Sequence, residues 1–200
     1  HRVYSLTSNG NTVWVGTIES ILVYTITGDK LMKKIPKPGY HLTHAGNCIL
    51  SCVYSNNEGV IYCVDKKTYQ IVKELKSSSR ILAVTATKEQ VWIACQDKAI
   101  RVWDIKSMQK VAEFDSIHED KINHLCFVPN ENNGEVWSSS DDKAVHVWNA
   151  KTRELEERLI GIHGHCVKGA TYMGNRVWTY TMDATVYTWN RENRDFLGSK

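Results

Sequence analysis

KAIRVWDI, residues 98–105, reads as a short β-strand closed by an aromatic residue, and four other stretches repeat its pattern at a nearly fixed spacing. Aligned on the last aromatic or branched residue, SILVYT ends on Tyr24, GVIYCVD on Val64, AIRVWD on Trp103, AVHVWN on Trp148 and TVYTWN on Trp189. The steps between these anchors are 40, 39, 45 and 41 residues. Self-similarity at a period of about 20–50 residues marks a repeat architecture. A second strand precedes each anchor: TVWVG around Trp14, CILSC around Leu50, QVWIAC around Trp92, EVWSSS around Trp137 and RVWTYT around Trp178. The offset between the two anchors is 10 or 11 residues in four copies and 14 in the second, which describes short strands joined by tight polar turns.

Composition agrees with an all-β chain. Apolar residues alternate with polar ones at period 2 rather than 3.6, and only three prolines occur in 200 residues. A hydrophobic fraction of 42% supports a sizeable core. The net charge of +3 is mild, so nothing in the total calls for nucleic acid or a membrane surface. No apolar run approaches the roughly 18 residues of a spanning helix, and no charged-then-apolar leader opens the sequence. The cysteines Cys48, Cys52, Cys63, Cys95, Cys126 and Cys166 mostly fall inside strand patterns, where free thiols behave as small hydrophobes. The expectation is a reducing, cytoplasmic compartment rather than a disulfide framework.

At the anchor residues the chain resembles the WD40-repeat family, over essentially its whole length. The dipeptide that names that family stands intact at Trp103-Asp104, is softened at Trp148-Asn149, Trp189-Asn190 and Val64-Asp65, and is lost at Tyr24-Thr25. The resemblance implies a β-propeller of four-stranded antiparallel blades, with about five blades in these residues and a ring of seven as the commonest family form. The units run at about 1–36, 37–77, 78–117, 118–162 and 163–200. Their first strands are expected at RVYSLT (2–7), after the Pro36-Lys37-Pro38-Gly39 loop, at ILAVTA (81–86), at INHLCF (122–127) and at VKGATY (167–172). The first unit closes on KLMKKI (30–35), and the last ten residues are expected to supply a weak outer strand. Turns are marked by Ser8-Asn9-Gly10-Asn11, Gly28-Asp29 and the longer Ser55-Asn56-Asn57-Glu58-Gly59, since Asn and Gly tolerate positive φ cheaply. The sequence begins on His1 at a strand, and the expectation is part of a longer propeller in a multidomain protein.

The family ties its inner strands together with a His, Ser or Thr, Asp and Trp network, which the resemblance assigns to His118, Ser138, Asp142 and Trp148 in unit four and to His163, Thr179, Asp183 and Trp189 in unit five. Unit three keeps Asp97 and Trp103 but carries Ser77 and Ile93 at the other two places, and units one and two keep almost nothing of it, so apolar packing is expected to hold them. The Asp, His and Ser side chains are read as this structural network rather than as a catalytic triad, because no strained nucleophile turn or oxyanion motif accompanies them. His41, His44, Cys48 and Cys52 offer zinc-ligand types, but Cys48 and Cys52 lie on one strand, about 13 Å apart at its rise per residue, unlike the tight Cys pairs of closed zinc sites. No phosphate loop, nucleotide fingerprint or paired carboxylates appear, and neither metal nor cofactor is expected.

Function is therefore expected on the surface. In propellers of this kind one rim is lined by the entry to each first strand and by the turn between the two middle strands, and loops on a rigid scaffold are where binding residues concentrate. The alignment places Arg2, Tyr4, Pro38, Tyr40, Arg80, Leu82, Lys121, Asn123, Cys166 and Lys168 at the entries and Gln96, Asp141 and Met182 in the middle turns. Arg and Tyr combine contact area with directed hydrogen bonds. The expected function is a non-catalytic scaffold for protein partners, with Arg2, Arg80, Lys121 and Lys168 receiving an acidic or phosphorylated segment; a reader of anionic lipid headgroups through peripheral membrane contact and a hydrolase-like propeller enzyme are the alternatives. Only Asp141 on the rim speaks for the enzyme. The Trp in the second strand also resembles propellers appended to signalling proteins such as Rho exchange factors, Roco-type kinases and inositol-polyphosphate 5-phosphatases, which implies a regulatory or targeting domain.

Overall fold

The structure is a computed structural model that describes residues 2–55, 58–131 and 133–200. Five four-stranded antiparallel sheets account for its regular structure, each made of four consecutive strands in meander order, which is a β-propeller-like repeat fold of about five blades. The first sheet holds β1 (Val3–Asn9), β2 (Thr12–Thr17), β3 (Ile21–Thr25) and β4 (Leu31–Ile35). The second holds β5 (His41–Ala45), β6 (Cys48–Ser55), β7 (Glu58–Asp65) and β8 (Ile71–Ser77). The third holds β9 (Ile81–Ala86), β10 (Gln90–Cys95), β11 (Ile100–Asp104) and β12 (Lys110–Phe114). The fourth holds β13 (Ile122–Val128), β14 (Glu135–Ser140), β15 (Val145–Asn149) and β16 (Leu155–Leu159). The fifth holds β17 (Val167–Met173), β18 (Arg176–Thr181), β19 (Val186–Asn190) and β20 (Phe196–Ser199). The final stretch does form an outer strand, of four residues, paired with β19. The turn residues Asn56 and Asn57 of the long second hairpin lie outside the described residues. Among the described residues no helix is long and apolar enough to cross a membrane.

The chain divides into two compact units, His1–Val91 with Trp103–Gln109, and Trp92–Val102 with Lys110–Lys200. In the first unit Trp14, Ile21, Val23 and Ile35 of the first sheet pack on Leu42, Ile49 and Val64 of the second. In the second unit Val128, Trp137, Val145, Val147 and Leu159 of the fourth sheet pack on Val167, Ala170, Val177, Tyr187 and Trp189 of the fifth. Within each unit the apolar face of the inner strands is buried against the neighbouring sheet, where a fully buried large side chain contributes about 1.5–3 kcal/mol, whereas β10 and β14 are buried along their whole length.

The backbone approaches itself closely where the first two sheets meet. The Gly39 N–H donates to the Thr17 carbonyl at 2.8 Å, and a Cβ at Gly16 would overlap the Gly39 carbonyl. Glycine is required there by space, not by a turn. All six cysteines are free. Burial pushes the Cys63 and Cys126 thiols up to about 12, so both are inert packing groups.

Candidate interaction rim

On three of the first strands, β1, β13 and β17, a rim side chain is aimed by a backbone irregularity near the strand start. Pairing slips between Val3 and Ser5 on β1, between Ile122 and His124 on β13, and between Val167 and Gly169 on β17. The residues left over in these β-bulges are Tyr4, Asn123 and Lys168, all expected on the rim. A bulge re-aims the extra side chain out of the ladder, which is how a regular strand presents a residue at its end.

In the first unit the expected rim residues come together. Tyr4 meets Tyr40 edge to face at 5.0 Å, and Tyr40 stacks on Tyr54 at 4.5 Å. The Arg80 guanidinium lies 3.6 Å from the centre of the Tyr54 ring, and that of Arg2 lies 5.3 Å from the Tyr4 ring. Three rings are therefore bracketed by two cations, each close enough for cation–π attraction of about 0.5–2 kcal/mol. No hydrogen bond or ion pair reaches Arg2 or Arg80 among the described residues, and the Arg80 Nε is buried without a partner. Burial raises the Tyr40 phenol above its ordinary value, with Tyr54 and Tyr4 adding to it. Burial lowers His41, and the Arg80 charge beside it acts in the same direction. Tyr54 escaped the sequence reading; its signal is an aromatic residue near the end of β6, ahead of a hairpin whose extra length spoiled the alignment.

The second unit closes its rim on itself. Lys168 Nζ lies 2.5 Å from Asp141 Oδ1, and Asn123 Nδ2 donates to that same oxygen at 2.6 Å and to the Val167 carbonyl at 2.8 Å. The Asp141 N–H donates to the Lys121 carbonyl at 2.9 Å, tying the middle turn to the strand entry. Burial works against ionisation of Asp141, but Lys168 and Asn123 outweigh it and hold the carboxyl below its ordinary range. The Met182 N–H donates to the Cys166 carbonyl at 3.0 Å, leaving the Met182 side chain exposed, as is Gln96. Lys121 is exposed and sends no side-chain bond into this cluster.

Below the rim, the fourth sheet carries a complete polar network. His118 Nδ1 lies 2.8 Å from Asp142 Oδ2, its Nε2 lies 2.8 Å from Ser138 Oγ, and the Trp148 indole N–H donates to Ser138 Oγ at 3.0 Å. Burial opposes the charge on Asp142, yet His118 and the N–H groups of Ala144 and Glu119 bring it down to about 2. His146 stacks on His118 at 3.8 Å and is lowered to about 4, by burial first and by the His118 charge second. The fifth sheet departs from the expected network. His163 Nε2 and the Trp189 N–H both meet Thr179 Oγ1, at 2.8 and 2.9 Å, but Asp183 accepts from Thr181 at 2.5 Å instead of reaching His163. Thr181 offers a hydroxyl two residues away on the same turn, so the carboxylate is satisfied locally and His163 Nδ1 is left buried without a geometric hydrogen bond. Burial lowers His163 to about 4, opposed in part by the Lys143 backbone. In the third sheet Asp97 is bound by both terminal nitrogens of Arg101, at 3.1 and 2.7 Å, while Arg101 Nε donates to Glu113 at 2.6 Å. A buried Arg bridge there stands in for the histidine and hydroxyl of the fourth sheet.

His41 and Cys52 face each other across β5 and β6, whereas Cys48 pairs with Ala45 and His44 with Ile49. Among the described residues no group of three or more His, Cys, Asp or Glu is placed to hold a metal.

Fold and site together define a β-propeller-like repeat protein with an aromatic and cationic rim in one unit and a neutralised rim in the other. No protein-family model matches the chain. It is 29% identical over 114 residues, 51% of its length, to the probable serine/threonine-protein kinase roco6 of Dictyostelium discoideum, and covers 5% of that protein. Among solved structures it is similar to the crystal structure of the computationally designed Ika8 protein, with a TM-score of 0.79 at 23% identity, covering 99% of this chain and 61% of that one. That last likeness is one of fold alone.

Proposed function

We propose that the chain is a WD40-type, non-catalytic interaction module of a larger signalling protein, and that the rim of its first unit receives an acidic or phosphorylated segment of a protein partner. The observation that carries this reading is the Arg80–Tyr54–Tyr40–Tyr4–Arg2 stack, in which two guanidiniums rest on rings and find no carboxylate among the described residues. A guanidinium drawn to a ring by cation–π attraction still offers its planar fork of N–H donors, the geometry that matches carboxylate and phosphate. The tyrosines supply rigid contact area at small entropic cost. Similarity of half the chain to a short region of a Roco kinase supports placement in a multidomain protein, and the His118–Ser138–Asp142–Trp148 network supports the WD40 type.

The test is fluorescence anisotropy with a labelled peptide of alternating phosphoserine and glutamate. Arg80→Glu is expected to weaken binding by about tenfold or more, as loss of a charge-assisted contact does, and Arg2→Glu by less, because Arg2 lies farther from its ring. Unchanged affinity in both variants sinks the proposal. Capture by phosphatidylserine vesicles with no binding of the peptide moves the site to a membrane surface and sinks it equally.

A further inference from the structure

Two nitrogen-bearing side chains of the first unit, His41 and Arg80, converge on one face of the second sheet without an acceptor for either. His41 opens β5 opposite Cys52 of β6, and cross-strand partners project to the same face. Tyr54, two residues beyond Cys52 on β6, points to that face as well. The partner of Tyr54 is Gly59 of β7, where a Cβ would overlap the Ile81 side chain at 2.5 Å and the Ser79 carbonyl at 2.9 Å. Glycine there lets the entry to β9 press against the second sheet, and the Arg80 guanidinium comes to lie 3.6 Å from the centre of the Tyr54 ring. Cys52, Ile61 and Ile81 beside them are each 1% exposed, which gives the cluster an apolar wall that excludes water.

Both side chains are half-buried, and polar donors in such places cost stability unless something satisfies them. The Arg80 Nε is buried without a partner, and among the described residues no hydrogen bond or ion pair holds the His41 ring. The titratable groups around that ring are Cys52 and Tyr54 from β6, Tyr40 beside it in the chain and Arg80 from the entry to β9, while β7 and β9 present Gly59, Ile61 and Ile81. No carboxylate bears on it. Burial first and the Arg80 charge second hold His41 below its ordinary value of 6.5, so the ring is neutral at pH 7. A fixed guanidinium beside a neutral imidazole is half of a dianion site. An arriving anion supplies the missing acceptor and favours a proton on the ring.

We propose that His41 is a second anion contact beside Arg80, becoming cationic as the ligand binds, and that the two together select a phosphomonoester over a carboxylate. This selectivity rests on the first-unit rim being the binding site, as proposed above. A phosphomonoester near pH 7 carries close to two charges and three acceptor oxygens, enough for the Arg80 fork and a His41 N–H together. A carboxylate carries one charge and two oxygens, which the fork alone can fill. The ring holds no proton in the free rim at pH 7 and gains one beside a dianion. Affinity for the phosphorylated ligand therefore rises as pH falls from about 8 to about 6.5, and affinity for a carboxylate ligand rises less.

Titration calorimetry of the 200-residue chain tests this, with the phosphoserine–glutamate peptide and with a twin that carries glutamate at every phosphoserine. At pH 7 the phosphopeptide is expected to bind about tenfold tighter than the twin. Buffers of different ionisation heat should report uptake of up to about one proton with the phosphopeptide. His41→Gln keeps a donor but takes no proton, so the uptake should vanish and the preference should fall to about threefold or less. His41→Phe removes the donor as well and should weaken the phosphopeptide further, with circular dichroism checking that both variants fold. A wild type that binds the phosphopeptide without proton uptake overturns the role of His41 whatever the variants do. Binding that is weakened by Arg80→Glu but keeps its preference and its uptake in His41→Gln overturns it too, and leaves the function proposed above standing. A wild type that binds neither peptide overturns both.

Discussion

The rims of the two units use the same backbone positions and reach opposite results. Tyr4 and Lys168 occupy equivalent bulges, yet Tyr4 joins a stack of rings and guanidiniums while Lys168 is bound by Asp141. What differs is the middle turn: Asp141 stands in the second unit, and no carboxylate reaches Arg2 or Arg80 among the described residues of the first. Charge at a rim is thus decided by its cross-strand neighbours more than by the number of basic residues. Below the rim the contrast repeats, with apolar contacts joining the first two sheets and a His–Ser–Asp–Trp network locking the fourth. A polar network of this kind rigidifies only while every member is satisfied.

The sharpest break of that contrast is Ser138→Ala. It strands the His118 Nε2 and the Trp148 N–H inside the fourth sheet, and a loss of about 3 kcal/mol is expected. Hydrogen exchange should show it as lost protection in β13–β16 with the first two sheets unchanged. Thr179→Ala should cost about 1 kcal/mol less, because Asp183 already stands outside the fifth-sheet network. Equal effects at the two sites would refute the difference drawn between the sheets.

Acid should loosen the second unit next. His146 and His163 are held near 4, below the ordinary histidine value of about 6.5, so the folded state binds fewer protons than the unfolded chain in that interval. Their contribution is complete above about pH 6.5 and is lost as pH falls towards 4, amounting to about 2 kcal/mol each after allowance for solvent screening. Asp142 adds its loss only below the ordinary carboxylate value of 3.8, down to about 2. His41 and His44 shift in the same direction in the first unit. Urea unfolding at pH 7, 5.5 and 4.5 measures the trend, and His146→Gln should flatten it; a stability that is level across this interval contradicts the assignment.

Gly16→Ala probes the first unit by backbone alone. The added methyl meets the Gly39 carbonyl, the sheets must separate, and about 1.5 kcal/mol is expected to be lost, read as a lower urea midpoint with faster exchange at Thr17 and Gly39. The smallest effect sharpens the rim comparison itself. Asp141→Asn releases Lys168 for less than about 1 kcal/mol of stability, since the pair is partly solvated. The loss should stay within that bound in urea unfolding. A larger loss would mean that the Lys168–Asp141 pair holds the second rim together.

Much of the fold was legible in the amino-acid order. Apolar alternation and the aromatic or branched anchors at Tyr24, Val64, Trp103, Trp148 and Trp189 placed the two middle strands of each sheet, because a strand that buries one face must repeat every second residue. Arg2, Tyr4, Tyr40 and Arg80 were legible as strand-entry residues from the same register. Tyr54 was not, because the second hairpin is longer and local spacing loses register across it. The local turn that draws Asp183 to Thr181, the Arg101 bridge to Asp97 and Glu113, and the capture of Lys168 by Asp141 were equally hidden. In each, a side chain chooses between two partners whose distances depend on how turns and bulges aim them. The sequence by itself determined the strands, their period and which face of each is apolar, since those follow from chemistry repeated along the chain. Only the tertiary structure decided which cations are left open and which histidines are buried, because those depend on atoms far apart in the chain meeting within a few ångströms.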